Sequence, residues 1–163
     1  VAKILPASYT IDIIVPSDLP LFSQDLENDA DYPESVKHFR DRLKRADLFL
    51  FAVSEHNYSI SSSLKNAIDW GSRGSDGGNL FNDKVAGIIS AGGGEGGLRA
   101  QNHLRDIGVF LNLHFLNKPS VLVRLFEQPS PVDWATGDLI DAKVHVKLTE
   151  FLDALITFYT KHH

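Results

Sequence analysis

Short apolar runs alternate along this chain with segments whose apolar residues recur every three or four positions. The runs have the length of buried strands and lie at residues 10–15, 48–53, 84–90 and 120–125. The periodic segments predict helices at residues 34–45, from the serines near 59–63 to about 71, at 98–112 and at 139–160, and residues 3–8 are predicted to be the tail of one more helix. This alternation predicts an α/β fold, a parallel sheet with helices on both faces.

The central stretch of the chain predicts a ligand site. The strand at 48–53 ends in the polar segment Ser54–Ser59, and serines 61–63 can accept hydrogen bonds from the free backbone N–H groups at the start of the next helix. Strand, polar loop and helix in this order form half of a βαβ unit. Because open α/β sheets bind ligands at the carboxyl ends of their strands, we expect a site at this loop.

A second loop, Ser90–Gly97, follows the strand at 84–90 and contains a run of glycines. Both loops leave parallel strands at the same edge of the predicted sheet, so we expect them to meet. Glycine permits close approach of the backbone to a flat ligand. The N–H groups before the helix that begins near Leu98 would suit electron-rich oxygens.

Other signals for chemistry are weaker. Gly92, Gly94 and Gly97 also fit the G-x-G-x-x-G fingerprint of dinucleotide-binding folds, but the acidic residue expected about twenty positions later is missing. We interpret the histidines at 38, 103, 114 and 145 as surface or core residues and not as metal ligands. The sequence therefore predicts no metal site.

The composition of the chain excludes several classes of function. The 163 residues are enough for one domain, and no apolar run has the length of a membrane span. Lysine and arginine number 16 against 21 acidic residues, which gives a net charge of −5, and no basic stripe suggests nucleic acid as a partner. Cysteine is absent, so disulfide and thiol chemistry are excluded. No targeting segment is visible, and we expect a cytoplasmic protein.

Residues 54–70 carry a family resemblance. They read Ser-Glu-His-Asn-Tyr-Ser-Ile-Ser-Ser-Ser-Leu-Lys-Asn-Ala-Ile-Asp-Trp. This resembles the Pro-Glu-Tyr-Asn-x-Ser-x-x-x-x-Leu-Lys-Asn-Ala-Ile-Asp-Trp signature of the flavodoxin-like NADPH-dependent FMN reductases, which include soluble quinone and azo-dye reductases. The chain departs from the signature at Ser54, usually proline, and at His56, usually tyrosine. The resemblance implies a flavodoxin-like doubly wound parallel sheet in three α/β/α layers.

The same resemblance implies a function and cofactors. It predicts an enzyme that uses NADPH and FMN to transfer two electrons by hydride transfer to a quinone, an azo compound or free flavin. The chemistry would belong to the flavin, so no catalytic side chain is expected. An electron carrier or flavin-binding module without nicotinamide turnover, and a scaffold that binds no flavin, stay as alternatives.

The resemblance also assigns residues. One side of the flavin ring would be wrapped mostly by backbone, at Ser54, Glu55, His56, Asn57, Tyr58 and Ser59. The other side would be flanked by Ser90, Gly92, Gly93 and Gly94. Arg99 is either a surface cation or a contact for the NADPH phosphate. Lys65 and Asp69 are either a solvated i,i+4 pair or part of the interface of a homodimer or homotetramer. Trp70 is predicted to pack in the core or in a subunit contact.

The resemblance further predicts the order of the strands. A flavodoxin-like sheet has the order 2-1-3-4-5, with a phosphate-binding loop directly after strand 1. If residues 10–15 form strand 2, then strand 1 and its loop are missing from residues 1–163, and strand 2 has no neighbour to pair with. We therefore expect a single flavodoxin-like domain that is preceded by about 25–35 residues, the length of a βα unit.

Overall fold

Two parallel strands form the centre of the computed structural model, which describes residues 1–27, 32–74 and 78–162. Strand β1 spans Leu48–His56 and strand β3 spans Val85–Gly92. Their register runs from Leu48 opposite Val85 to Ser54 opposite Ala91. Both strands consist largely of apolar residues, as expected for strands covered on two faces. The two predicted strands are confirmed, and β1 extends three residues past its predicted end.

Three short strands complete the sheet. Strand β2 (Ser59–Ile60) pairs antiparallel with the end of β1. Strand β4 (His114–Phe115) pairs in parallel with the beginning of β3, and β5 (Val121–Arg124) pairs in parallel with its end. Because β1 occupies one edge of β3 along almost its whole length, β4 and β5 share the other edge. The strand predicted at 120–125 is thus confirmed, whereas β2 and β4 were not predicted.

Helices cover both faces of this sheet. Helices α1 (Glu34–Lys44), α2 (Ser62–Gly71) and α3 (Leu98–Leu111) contribute to one apolar core, and α4 (Ala142–His162) packs into a second core with residues of β3 and β5. This arrangement confirms the predicted three-layer α/β/α fold. None of the helices in the described ranges has the length and apolarity needed to cross a bilayer.

Two helix predictions need adjustment. Helix α4 begins at Ala142 instead of Leu139, because the Asp141 carboxylate accepts from the Val144 amide at 2.9 Å and so fixes the first turn there. The apolar spacing of the segment at 98–112 would also turn Leu98 toward the core, and the structure does not bear this out. Leu98 is 40% exposed because it is the first residue of α3, where the helix emerges from the sheet edge.

The predictions for the first fifteen residues are wrong. Residues 10–15 form no strand, since no neighbouring strand within the described residues accepts and donates their backbone hydrogen bonds. This segment is instead tied to α1 by Arg42, which bonds the Asp12 carboxylate and donates to the Ile13 carbonyl at 2.8 Å. The helix tail predicted at 3–8 is reduced to a 3₁₀ turn at Ala2–Ile4.

Helix α2 holds the irregular segment before α1 in place. The Asn66 side chain donates to the Pro20 carbonyl at 2.9 Å and accepts from the Phe22 amide at 2.8 Å. The Trp70 indole N–H donates to the same Pro20 carbonyl at 2.8 Å, and the Trp70 ring makes an edge contact with Phe22. Trp70 is 1% exposed, which confirms its predicted place in the core. Two side chains one turn apart therefore fix the path of residues 20–22.

This arrangement predicts a specific stability loss. Replacing Asn66 with alanine removes two hydrogen bonds and leaves a partly buried carbonyl and amide with one partner fewer, so we expect unfolding to become easier by about 2 kcal/mol. Asn102 is an exposed helix residue, and Asn102→Ala serves as the matched control, with a change within about 0.5 kcal/mol. Urea unfolding followed by circular dichroism measures both. Equal losses in the two variants would contradict the role assigned to Asn66.

Candidate functional site

The carboxyl ends of β1 and β3 bring the two predicted loops together. Ser54, at the start of the first loop, lies opposite Ala91, at the start of the second. Both residues line a cavity of about 300 Å³, and most of its other lining residues are apolar and come from β1, β3, β5 and α4. The sequence prediction that the two loops meet at one edge of the sheet is therefore confirmed.

The first loop is a tight hairpin. Residues 55 and 56 of β1 pair with residues 60 and 59 of β2, so only Asn57 and Tyr58 form the turn. Both have positive φ, 48° and 65°, as a type I′ turn requires. Asparagine tolerates this conformation, whereas tyrosine in the left-handed region costs about 1–2 kcal/mol. The hairpin therefore holds an exposed aromatic ring in an unfavourable backbone conformation at the sheet edge.

The glycines of the second loop divide into two kinds. A Cβ at Gly97 would lie 2.7 Å from the Ser90 Cβ, one at Gly96 would lie 2.9 Å from Leu122, and both glycines have positive φ. Glycine is needed there for the loop to pack onto the strands. A Cβ at Gly94 would meet nothing within 4 Å, and φ at Gly94 is not positive. Neither backbone conformation nor packing explains why residue 94 lacks a side chain.

A buried network of hydrogen bonds around Ser90 and Gln101 fixes the glycine loop. Ser90 is 4% exposed, and its hydroxyl donates to the Gly96 carbonyl at 2.7 Å. Gln101, 3% exposed, donates to the Ser90 hydroxyl and to the Val121 carbonyl, both at 2.9 Å. The Ser90 side chain is thus used inside the protein, where it fixes the loop. Gln101 was not predicted, although its place one turn into the helix after the glycines was a usable signal.

The start of α3 is closed by a side chain from the other loop. The Glu55 carboxylate accepts from the backbone N–H groups of Arg99 at 3.0 Å and Ala100 at 3.3 Å. Gly97 occupies the N-cap position and has no side-chain oxygen to offer. The Arg99 and Ala100 amides are therefore used inside the protein, and they are separate from the N–H groups of the glycine run, which the sequence suggested as donors to a ligand.

Two side chains of α3 reach the hairpin. The Arg99 guanidinium carbon lies 4.0 Å from the centre of the Tyr58 ring, a cation–π contact. The His103 Nδ1 lies 3.0 Å from the Ser59 hydroxyl. Arg99 and His103 are four residues apart and so share one face of the helix. The structure thus places Arg99 at the sheet edge where the loops 54–59 and 90–97 meet, which we call the rim of the site. His56 is exposed on the hairpin that Arg99 contacts.

One further aromatic residue belongs to this rim and was not predicted. Phe126 follows β5 by two residues and is 75% exposed. A Cβ at Gly93 would lie 2.7 Å from its ring, so the ring lies directly against the glycine loop. Because β5 is parallel to β3, its carboxyl end lies at the same sheet edge. The position of Phe126 after a predicted strand was the signal that could have identified it.

Lys65 and Asp69 lie on α2. The Lys65 ammonium bonds both carboxylate oxygens of Asp69 at 2.7 and 2.8 Å, as the i,i+4 spacing predicts. In the described ranges, no three histidine, cysteine or acidic side chains lie close enough together to hold a metal ion.

Comparison with known proteins fixes the family. Residues 1–128 match the NADPH-dependent FMN reductase family. The chain belongs to this family. Over 149 residues it is 50% identical to a probable NADPH:quinone oxidoreductase of Oryza sativa, covering 91% of this chain and 74% of that protein. Over 153 residues it is 38% identical to an NAD(P)H-dependent FMN reductase of Pseudomonas aeruginosa, covering 93% and 80%.

A solved structure agrees with this assignment. The flavoenzyme FerB, an NAD(P)H:acceptor oxidoreductase of Paracoccus denitrificans, superposes with a TM-score of 0.81 at 29% identity, over 98% of this chain and 85% of that one. Family membership and this neighbour make the chain a flavodoxin-like oxidoreductase with FMN and NADPH as its cofactors.

The residues at the rim suit a flavin ring. Gly93 and Gly94 lie in the loop between β3 and α3. Their amides donate to no acceptor within the described part of the chain. Gly94 leaves open space where a side chain would stand, and the cavity beside Ser54 and Ala91 is mostly apolar. An apolar surface next to free amide donors matches a flat ring whose edge carries carbonyl and nitrogen acceptors.

The two kinds of glycine predict opposite outcomes on substitution. Gly97→Ala forces a Cβ against Ser90 at positive φ, and we expect it to lower the free energy of unfolding by about 2 kcal/mol or more. Gly94→Ala should leave the unfolding free energy within about 0.5 kcal/mol and weaken FMN binding about tenfold. Urea unfolding and flavin fluorescence titration measure the two quantities. If Gly94→Ala bound FMN as tightly as the wild type, Gly94 would not contact the ring.

Proposed function

We propose that this protein reduces quinones by two electrons, with NADPH as the donor and FMN as the bound intermediary. The observation that carries the proposal is the joined pair of loops at the carboxyl edge of β1 and β3, where Ser54 and Ala91 line an apolar cavity and the free amides of Gly93 and Gly94 follow in the second loop. The relatives named as quinone oxidoreductases support the choice of acceptor. Bound FMN would supply the hydride-accepting and two-electron-donating chemistry, which no side chain of this site offers.

The residues of this chain would bind and orient the ring, while the flavin carries the reaction. The hairpin Ser54–Ser59 would cover one side of the ring through its backbone, and Gly92, Gly93 and Gly94 would approach the other side. Amide donors at the glycine loop are fixed before the reaction begins, so they would stabilise negative charge on the reduced ring without having to reorient. Ser90 would contribute indirectly, because its hydroxyl holds the loop in place through the bond to the Gly96 carbonyl.

Arg99 is the residue that we assign to the NADPH phosphate. Its guanidinium is exposed at the rim and rests on the Tyr58 ring, so it is oriented without being neutralised by a carboxylate. Among the described residues, no acidic side chain pairs with it. A cation held in this way can bind a phosphate with little further loss of side-chain freedom.

The FMN phosphate needs a binding segment of its own. Along residues 48–54, the edge of β1 that faces away from β3 has no strand partner within the described residues, and Ala52 and Ser54 are exposed there. We propose that a strand of the same flavodoxin-like domain pairs along this edge. A loop following that strand would reach the rim beside Ser54 and could hold the phosphate through its amides.

We further propose that the protein forms a homo-oligomer through α2 and the end of α3. Val109 and Phe110 are 82% and 81% exposed, and Phe110 and Asp69 line one surface cavity of about 410 Å³. Two copies of α2 packed antiparallel could exchange the Lys65 and Asp69 charges between subunits, which makes this face self-complementary.

The proposed activity has a direct test. Anaerobic mixing of the FMN-loaded protein with NADPH should remove the yellow colour of the flavin within seconds, and adding a quinone should restore it with one hydroquinone formed for each NADPH consumed. Stopped-flow absorbance follows both steps. A flavin that stays yellow at saturating NADPH, and that other reductants reduce in two separate one-electron stages, would contradict the proposal and identify an electron carrier.

The proposed interface also has a direct test. Phe110→Asp places a charge in the apolar centre of the proposed contact, and we expect it to shift the protein from oligomer to monomer in sedimentation velocity. Val146→Asp is the matched control, because Val146 is an exposed valine on α4, on the other face of the sheet. An unchanged sedimentation coefficient for Phe110→Asp, or equal dissociation by both variants, would place the interface elsewhere.

A further inference from the structure

Side chains link the hairpin to helix α3 at Glu55, Tyr58 and Ser59. The Glu55 carboxylate reaches the amides of Arg99 and Ala100, the Arg99 guanidinium lies on Tyr58, and His103 lies beside Ser59. Arg99, Tyr58 and His103 are exposed, and contacts between exposed side chains are weak. The link through Glu55 differs, because a carboxylate accepts there from two helix amides.

The sequence leaves α3 with no cap of its own. Residue 97 must be glycine, since a Cβ there would lie 2.7 Å from the Ser90 Cβ. The N-cap position therefore cannot supply a serine, threonine or aspartate oxygen. The oxygen comes instead from Glu55, which is 44 residues earlier in the chain and on the opposite loop. The bonds from Glu55 therefore cap the start of α3 and join the two loops at the same time.

We propose that Glu55 is a positioning residue that sets the separation of the two loops and thereby the width of the flavin site. The inference rests on the proposed function, in which these loops are the two sides of that site. The Glu55 side chain faces α3, so its carboxylate acts on the cofactor through the backbone that it holds. The hairpin that it anchors contains Tyr58 in the left-handed conformation, and without the anchor that turn has less to hold it in place.

Glu55→Ala and Glu55→Gln test the proposal in two measurements. In the protein without flavin, hydrogen exchange read by NMR should show protected Arg99 and Ala100 amides, which is unusual for the first turn of a helix. Glu55→Ala should speed exchange about tenfold both at these amides and in the hairpin at residues 56–59. The same variant should raise the Kd for FMN about tenfold. Both amides donate to one oxygen of Glu55, so Glu55→Gln can keep that acceptor but loses the negative charge, and it should lie between Glu55→Ala and the wild type. Glu150→Gln, an exposed acid on α4, is the charge-matched control.

The outcomes separate this inference from the proposed function. Faster exchange in both loops with weaker FMN binding supports the positioning role. Faster exchange confined to α3, or an FMN Kd unchanged while both loops exchange faster, overturns it. If the wild type failed to bind FMN, the proposed function would fall, while the exchange measurement would still decide whether Glu55 couples the loops. Should Glu55→Ala not fold, the exchange rates and Kd of Glu55→Gln decide by the same criteria.

Discussion

The parallel ladder between β1 and β3 determines where this protein can bind a ligand. Because parallel strands run in the same direction, the loops that follow them leave from one edge of the sheet. The register from Leu48–Val85 to Ser54–Ala91 aligns the ends of the two strands, so the two loops begin side by side. Side chains of β1 alternate between the two apolar cores, one on each face of the sheet. A shift of one residue would exchange the faces, so packing in both cores fixes this register. The geometry of the site is therefore a consequence of core packing.

The residues that make the family resemblance so specific have mainly structural roles in this chain. Ser61 caps α2 by accepting from the Leu64 amide, while Asn66 and Trp70 hold residues 20–22 through the Pro20 carbonyl. The neighbouring residues at 54–59 form the hairpin at the rim, so recognition of the signature identifies a scaffold and a site together. This explains how a motif with no catalytic side chain can indicate a redox enzyme, since the cofactor carries the reaction and the protein supplies position.

The sequence predicted the layers and the meeting of the loops, and it was wrong where structure depends on a neighbour. Strands β1, β3 and β5 and the helices follow from local apolar periodicity. Residues 10–15 have the same apolar character as a strand, yet a strand forms only when another strand takes its hydrogen bonds. The segment 54–59 was predicted as a polar loop and not as a hairpin, because its turn residues, Asn57 and Tyr58, lack the usual Asn-Gly pattern. The bond from Glu55 to α3 joins residues 44 positions apart, which no local pattern indicates.

The glycine run contains positions that packing requires and a position that packing does not explain. Gly96 and Gly97 are explained within the protein, by positive φ and by the strand residues that a Cβ would touch. Once Gly97 is fixed, α3 loses its local cap, and Glu55 supplies that cap from the opposite loop. Gly94 has neither constraint, and its amide and open space lie at the same edge as the apolar cavity. The fold would accept a side chain at Gly94, yet the residue has none and lies next to free amide donors. A flat ring can therefore approach the backbone closely at this position.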